Sequence, residues 1–320
     1  MSIEPSNRVA LSGPTMGTRW SAVFFSADPD PRLQVALRAA VDAVDATMST
    51  WKADSDLMRL NRMPRGIWLE VAPQLCAVVA LGLQIGQASR GAFDIGVGAA
   101  VEAWGFGASD PQSDNLPIAR AVSPLTTANA VEVDLPGSRL RRHGDVSIDL
   151  SGIAKGHGVD CLAEVLIAQG IADFIVSIDG EVRGCGTKPD GSGWLVGLER
   201  PDREHRQLAR TLAVSDVAIA TSGDYRHFRT VGGKIVSHTI DPRTGAPLDG
   251  HVCAVTVTAE HCAVADAWAT ALMVLGEHEG PVLAEQLGLD ALFTLRRNGI
   301  LHEIGIGAFA QAPNDQHREN

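Results

Sequence analysis

Two short stretches of the chain set charged and hydroxyl-bearing residues at spacings that suit phosphate chemistry. The first is Ser147-Ile148-Asp149-Leu150-Ser151-Gly152-Ile153-Ala154-Lys155-Gly156, which predicts a strand over Val146–Leu150 running through a glycine-containing turn into a helix over Gly156–Gln169. A helix opening on such a turn aims free backbone N–H groups and its positive dipole end at whatever the turn holds. Lys155 adds a point charge suited to phosphate. The second stretch is Ala265-Asp266-Ala267-Trp268-Ala269-Thr270, where four-residue spacing near the start of an apolar helix puts Asp266 and Thr270 on one face. Carboxylate and hydroxyl are hard donors, and Mg²⁺ takes few protein ligands of this kind, completing its octahedron with water and substrate phosphate oxygens. Each stretch also fits a purely structural role, with the aspartates as caps, Lys155 in solvent and Thr270 bonded back to its own helix.

Further polar residues replace expected apolar continuations in Ile219-Ala220-Thr221-Ser222-Gly223-Asp224-Tyr225 and in Ser237-His238-Thr239-Ile240-Asp241-Pro242-Arg243-Thr244-Gly245. Asp241-Pro242 and Thr244-Gly245 are turn chemistry. His238, at a strand end, can bond a ligand or relay a proton at neutral pH, or serve as a structural partner. Thr15-Met16-Gly17-Thr18, the polar loop around Trp51 with Asn61 beyond it, Phe93-Asp94-Ile95-Gly96 and Trp104-Gly105-Phe106-Gly107 set aromatic residues beside glycines. Such pairs suit a flat ring ligand, and Trp51 is a candidate for stacking on one; a tryptophan buried in the core is the alternative.

These residues need elements to hold them. The sequence predicts strand structure across Arg8–Phe25 with a tight feature at Met16-Gly17-Thr18, then a helix ending near Ser49, because Leu33, Leu37, Ala40, Val41, Val44 and Met48 recur at helical spacing. Helices over Ala72–Ala88 and from Ile95 toward Trp104 follow. Gln112–Leu140, with Pro117, Pro124 and Pro136, is a linking region or a set of short edge strands. Beyond it come short β runs at Phe174–Ile178, Trp194–Leu198, Leu208–Val214, Val217–Thr221, Lys234–Ile240 and Val252–Thr258. Helices are predicted over Cys262–Leu275 and Gly280–Leu287, before a final strand pair turned by Asn298-Gly299. Strands this dense exclude regular βαβ alternation and indicate an α+β class.

Composition removes several functions. A net charge of −11 with pI near 5.3 argues against a nucleic-acid surface, so a phosphate ligand must be neutralised locally. No apolar stretch reaches the roughly 20 residues of a bilayer-spanning helix. The N-terminal residues show neither signal features nor a lipidation cysteine, which predicts a cytoplasmic location. Five scattered cysteines without CxxC spacing read as reduced thiols, and no GxGxxG follows a first strand, which weighs against a dinucleotide-binding redox enzyme.

Taken in order, Met16-Gly17-Thr18, Trp51 to Asn61, FDIGVG with WGFG, DLSGIAKG with Asp160, TSGDY, SHTIDPRTG and ADAWAT resemble the ApbE family of FAD:protein FMN transferases over about Ser12–Gly307. The resemblance implies one two-lobed catalytic domain over residues 8–308, with mostly antiparallel sheets flanked by helices, FAD in the cleft, and a solvated tail over 309–320. It implies that Met16, Trp51, Phe93, Asp94, Ile95, Asp149, Lys155, His238 and Ile240 line the FAD site, and that Asp266, Thr270 and the Gly152 carbonyl hold Mg²⁺. The implied reaction is attack of a target-protein Thr or Ser hydroxyl on the FMN-side phosphorus of FAD, with release of AMP. Catalysis then falls to Lys155, Asp266 and His238, with the general base open between the last two. The implied partners are FAD and an acceptor flavoprotein. Departures are Trp51 in place of a more typical tyrosine, Gly96 where threonine is frequent, Ala269 where some members carry a second aspartate, and Asp179 where glycine is common. The same residues would also serve an FAD pyrophosphatase, and FAD could be bound without catalysis.

Overall fold

The structure, a computed structural model, describes residues 7–108, 127–202, 204–225, 228–231 and 234–310; most of the expected linker and the last ten residues of the expected tail lie outside them. The centre is an eight-stranded sheet whose spatial order follows the chain: Asn7–Thr15, Thr18–Ser26, Phe174–Ile178, Glu181–Cys185, Val217–Gly223, Val252–Ala259, Asp290–Arg297 and Ile300–Ile306. Every neighbouring pair is antiparallel, so the α+β expectation of antiparallel strands flanked by helices holds.

The helices pack on this sheet. Leu33–Met48 buries Leu33, Leu37, Val41, Val44 and Met48, the stripe its sequence spacing predicts, and each such side chain contributes roughly 1.5–3 kcal/mol when buried. Ala154–Ala168 lies against Phe174–Cys185, and Cys262–Leu287 lies against Val217–Gly223, Val252–Ala259 and Asp290–Arg297. The latter is broken at Gly276, where φ is 74°, so the expected division between Leu275 and Gly280 is present as a break within one element. The opposite face is covered by the hairpin of Trp194–Glu199 with Leu208–Val214, whose Trp194, Val196, Leu198 and Val214 pack on Ile219, Leu292 and Phe309. Strand alternation explains the split: Ile219 faces the hairpin, while its neighbour Ala218 joins the helical side. Phe309 was expected in the solvated tail; it is buried under the hairpin instead.

Val146–Leu150 is not a sheet strand as predicted. It is extended but pinned by side chains and loops: Asn61 donates to the Ile148 carbonyl and accepts its N–H, both at 2.8 Å. Asp149 N–H donates to the Ile95 carbonyl at 2.7 Å, and a single parallel bridge joins Ser147 to Val97. Buried Arg142 donates to the carbonyls of Leu60, Asn61, Met63 and Val146, tying the end of helix Asp56–Arg62 to this segment. Such long-range partners satisfy the backbone without a sheet, and the local pattern could not distinguish the two.

Candidate functional site

The turn after Asp149 is shaped by its own residues. The Asp149 carboxylate accepts Ser151 N–H at 2.7 Å, and the Leu150 carbonyl accepts from Ile153 and Ala154, so the chain enters helix Ala154–Ala168 directly. No side chain of its own caps this helix; the cap arrives from elsewhere. Asp266, in helix Cys262–Leu287, accepts Gly156 N–H at 3.0 Å. In return Asp160, in helix Ala154–Ala168, accepts the N–H groups of Cys262 and Ala263, both at 2.9 Å. Each helix therefore satisfies orphan donors and complements the positive end of the other. Arg183 donates to Asp160 at 2.9 Å and completes the clamp. The approach is close enough that a Cβ added at Gly156 would fall 2.5 Å from the Cys262 carbonyl oxygen, which is why glycine stands there.

The mutual clamp brings the two sequence stretches together. Thr270 Oγ1 bonds Ser222 Oγ at 2.9 Å, and a Cβ added at Gly152 would lie 3.2 Å from Thr270 Oγ1. Gly152, Asp266 and Thr270 thus border one space. Lys155 is not in solvent: its ammonium bonds both carboxylate oxygens of Glu181 at 2.9 Å and lies 3.8 Å from Asp179 Oδ2. Burial works against the Lys155 charge, but Glu181, Asp266 and Asp179 outweigh it and hold the ammonium protonated above its ordinary range. Burial pushes the Glu181 carboxyl up to about 7, with Lys155 opposing. Burial likewise raises Asp149, against its Ser151 hydrogen bonds, and Asp266, against Lys155 and Gly156 N–H.

All of this opens on a cleft of about 2060 Å³, larger than the roughly 300–1,000 Å³ typical of a small-ligand site. Met16, Trp51, Phe93, Asp94, Asp149, Gly152, Lys155, His238, Ile240, Asp266 and Thr270 all line it. Met16, at φ 44° beside Gly17 at φ 71°, occupies a two-residue hairpin turn of the I′ kind, and its Cε lies where a Cβ on Gly158 would intrude. Trp51 is 70% exposed on the cleft rim, so the alternative of a core tryptophan is excluded. His238 lies edge-on to Phe106, ring centroids 6.4 Å apart, and Trp104 Nε1 donates to the Gly245 carbonyl at 2.8 Å, so the WGFG segment supports the His238 loop.

Ile95 departs from the expected set. Its side chain packs in the core against Gly82, and its part in the site is the carbonyl that fixes Asp149. Gly96 has no room for the threonine that the resemblance leads one to expect, because Thr127 Oγ1 lies 1.9 Å from where its Cβ would be. Sequence reasoning missed Glu181, Ser222 as the partner of Thr270, and the roles of Asp160 and Arg183. For Glu181 a signal existed: the Asp179-Gly180 pair marks a tight turn, and a carboxylate opening the strand that follows, just before Val182, is a polar group in need of a partner if buried.

The residues fit a divalent cation of the hard kind. Asp266, Thr270 and the Gly152 carbonyl offer oxygen only, and one Asp266 oxygen serves Gly156, leaving the other as a donor. Among the described residues no group of three His, Cys, Asp or Glu side chains is placed to hold a metal ion. No helix among the described residues is long and apolar enough to cross a membrane.

Comparison with known proteins identifies the family and the fold. A family model described as ApbE family matches residues 16–293. The chain is 34% identical to the FAD:protein FMN transferase of Vibrio cholerae serotype O1 over 96% of this chain and 93% of that protein. It is 33% identical to the FAD:protein FMN transferase of Escherichia coli K12 over 90% of this chain and 84% of that protein. Among solved structures, the flavin transferase ApbE from Vibrio cholerae superposes with a TM-score of 0.84 at 33% identity, covering 96% of this chain and 99% of that one. The apo flavinyl transferase ApbE of Pseudomonas stutzeri gives 0.86 at 32%, covering 98% and 100%.

Proposed function

The chain belongs to the ApbE family, and from that premise we propose that it transfers FMN from FAD to a hydroxyl of an acceptor protein with the help of Mg²⁺. The observation that carries this reading is the meeting of the Gly152 turn with Asp266 and Thr270 in one cleft with Trp51 and His238 on its walls. In this reading FAD occupies the cleft with its flavin toward Trp51 and Phe93 and its pyrophosphate toward the turn, residues that line the same space.

Asp266, Thr270 and the Gly152 carbonyl would hold the ion, which when bound neutralises pyrophosphate charge as the P–O–P bridge breaks. The chain's own contribution is positioning. The mutually capped helices hold the turn and Asp266 in register, so little reorganisation is needed on reaction. A Thr or Ser hydroxyl forms the new P–O bond, and AMP leaves with the bridging oxygen. Asp266 is committed to Gly156 and to the ion, so we assign the hydroxyl proton to the His238 imidazole, a base suited to neutral pH. The partners are then FAD and an acceptor flavoprotein.

The test is incubation of the full chain with FAD, MgCl₂ and candidate flavoproteins, followed by flavin fluorescence in a denaturing gel. A fluorescent acceptor band, lost with Asp266→Asn and with EDTA, supports the reading. AMP release without any labelled band would instead mean hydrolysis of FAD.

A further inference from the structure

The pyrophosphate end of the cleft is crowded with negative charge. Asp149, Asp179, Glu181 and Asp266 all line it beside Lys155. The Lys155 ammonium, the group best suited to an anion, is already engaged on its three donors' side by Glu181 through both oxygens at 2.9 Å, with Asp179 at 3.8 Å. Glu181 is buried and forms the floor of this pair, whereas the Asp179 side chain is 43% exposed to the cleft.

Asp179 also sits in a turn position that glycine would serve at least as well. Ile178 pairs with Glu181 across a two-residue turn. Within that turn φ is positive, 53°, at Asp179 but not at Gly180, the pattern of a II′ hairpin, which favours glycine at the first position. Aspartate is tolerated at such a φ, and here its carboxylate faces the ligand cleft 3.8 Å from the Lys155 ammonium, so its charge bears on whatever anion the cleft takes.

Resting on the reading that the FAD pyrophosphate binds here, we propose that Asp179 makes FAD binding depend on a divalent cation, by repelling a bare pyrophosphate beside a Lys155 ammonium that Glu181 already occupies. Metal-free FAD meets a surplus of carboxylates over ammonium; FAD accompanied by the cation does not. Removing the Asp179 charge leaves Lys155 on Glu181 and takes one exposed, repelling carboxylate away from the cleft. At separations of about 4–8 Å in a partly solvated cleft, one unit charge alters anion affinity by roughly 3- to 10-fold.

The test is FAD titration of the full chain, followed by flavin fluorescence, in EDTA and in MgCl₂, for the wild-type chain, Asp179→Asn and Asp179→Gly. Neither variant introduces strain, since Asn tolerates positive φ and Gly prefers it. Wild-type affinity is expected to rise about 10-fold or more with MgCl₂, and both variants are expected to bind FAD about 3- to 10-fold more tightly in EDTA, with a smaller change in MgCl₂. A wild-type chain that binds FAD equally well in both buffers overturns the inference and leaves the function standing. So do unaltered metal-free affinities in both variants, or a gain in Asp179→Gly alone, which would trace to the backbone. A wild-type chain that binds no FAD under either condition removes the functional reading itself, and this inference with it.

Discussion

Replacing Asp160 with alanine tests whether the site is assembled by the mutual capping of two helices. The carboxylate accepts Cys262 N–H, Ala263 N–H and the Arg183 guanidinium, all at 2.9 Å, and the two side chains are only 13% and 11% exposed. Loss of a helix cap costs about 0.5–2 kcal/mol. Leaving a largely buried guanidinium without its carboxylate adds roughly 1.5–3 kcal/mol, the worth of a charged hydrogen bond. The expected total for Asp160→Ala is therefore about 2–5 kcal/mol. Asp160→Asn keeps one acceptor oxygen and should lose about 1–2 kcal/mol. Urea unfolding followed by tryptophan fluorescence measures both, with the slope m expected to stay constant. A cycle with Arg183→Met isolates the pair: the double variant should lose less than the sum of the single ones by about 1 kcal/mol or more. A cost below about 1 kcal/mol for Asp160→Ala, or strict additivity with Arg183→Met, would refute the clamp. Because Asp266 is held by the same helix contact, the surviving folded variant should also bind Mg²⁺ more weakly.

Trp51→Ala should weaken FAD binding by about 3- to 10-fold, the loss of one offset-stacking contact, while leaving urea stability within about 0.5 kcal/mol because the ring is 70% exposed; equal affinity in both chains would remove Trp51 from the flavin site. Lys155→Met should make stability more sensitive to alkaline pH. Glu181 has its folded pKa raised from 4.5 to about 7, so its contribution is fully present below about pH 4.5 and is lost as pH rises to about 7. Without the ammonium the folded pKa climbs further and the loss continues above 7. The stability gap between Lys155→Met and wild type should therefore widen by about 1–3 kcal/mol from pH 5 to pH 8. A pH-independent gap in thermal or urea unfolding would show that Glu181 does not depend on Lys155.

What could be read from the sequence was local. The stripe Leu33, Leu37, Val41, Val44 and Met48 repeats at helical spacing, and Asn298-Gly299 turns the last hairpin at φ 52° and 80°; both are set by neighbours in the chain. Val146–Leu150 has the composition of a strand and the backbone of one, yet its partners are Asn61 and the Ile95–Val97 segment. Composition reports that a segment is extended and buried, not which groups satisfy it. Ile95 departs for a related reason: its neighbours Phe93 and Asp94 line the cleft, while the turn at this point sends its own side chain into the core beside Gly82, which adjacency in sequence does not reveal.

The residues that line the cleft stood out because their chemistry is unusual for their surroundings; the exchange of caps between the two helices did not, because it crosses about a hundred residues of chain. Asp266 reads equally well as a helix cap and as a metal ligand, and the structure resolves this by making it a cap of a different helix, with Gly156 N–H on one oxygen and the other left for the cleft. A carboxylate that holds the N-terminus of helix Ala154–Ala168 also holds its turn at the distance where Gly152 and Thr270 meet. Asp160 does the reciprocal work from the opposite side without facing the ligand. The fold fixes the Asp149–Lys155 turn against Asp266 and Thr270 through two exchanged carboxylates, so a substitution that loosens either cap should be felt in ligand binding before it is felt in the core.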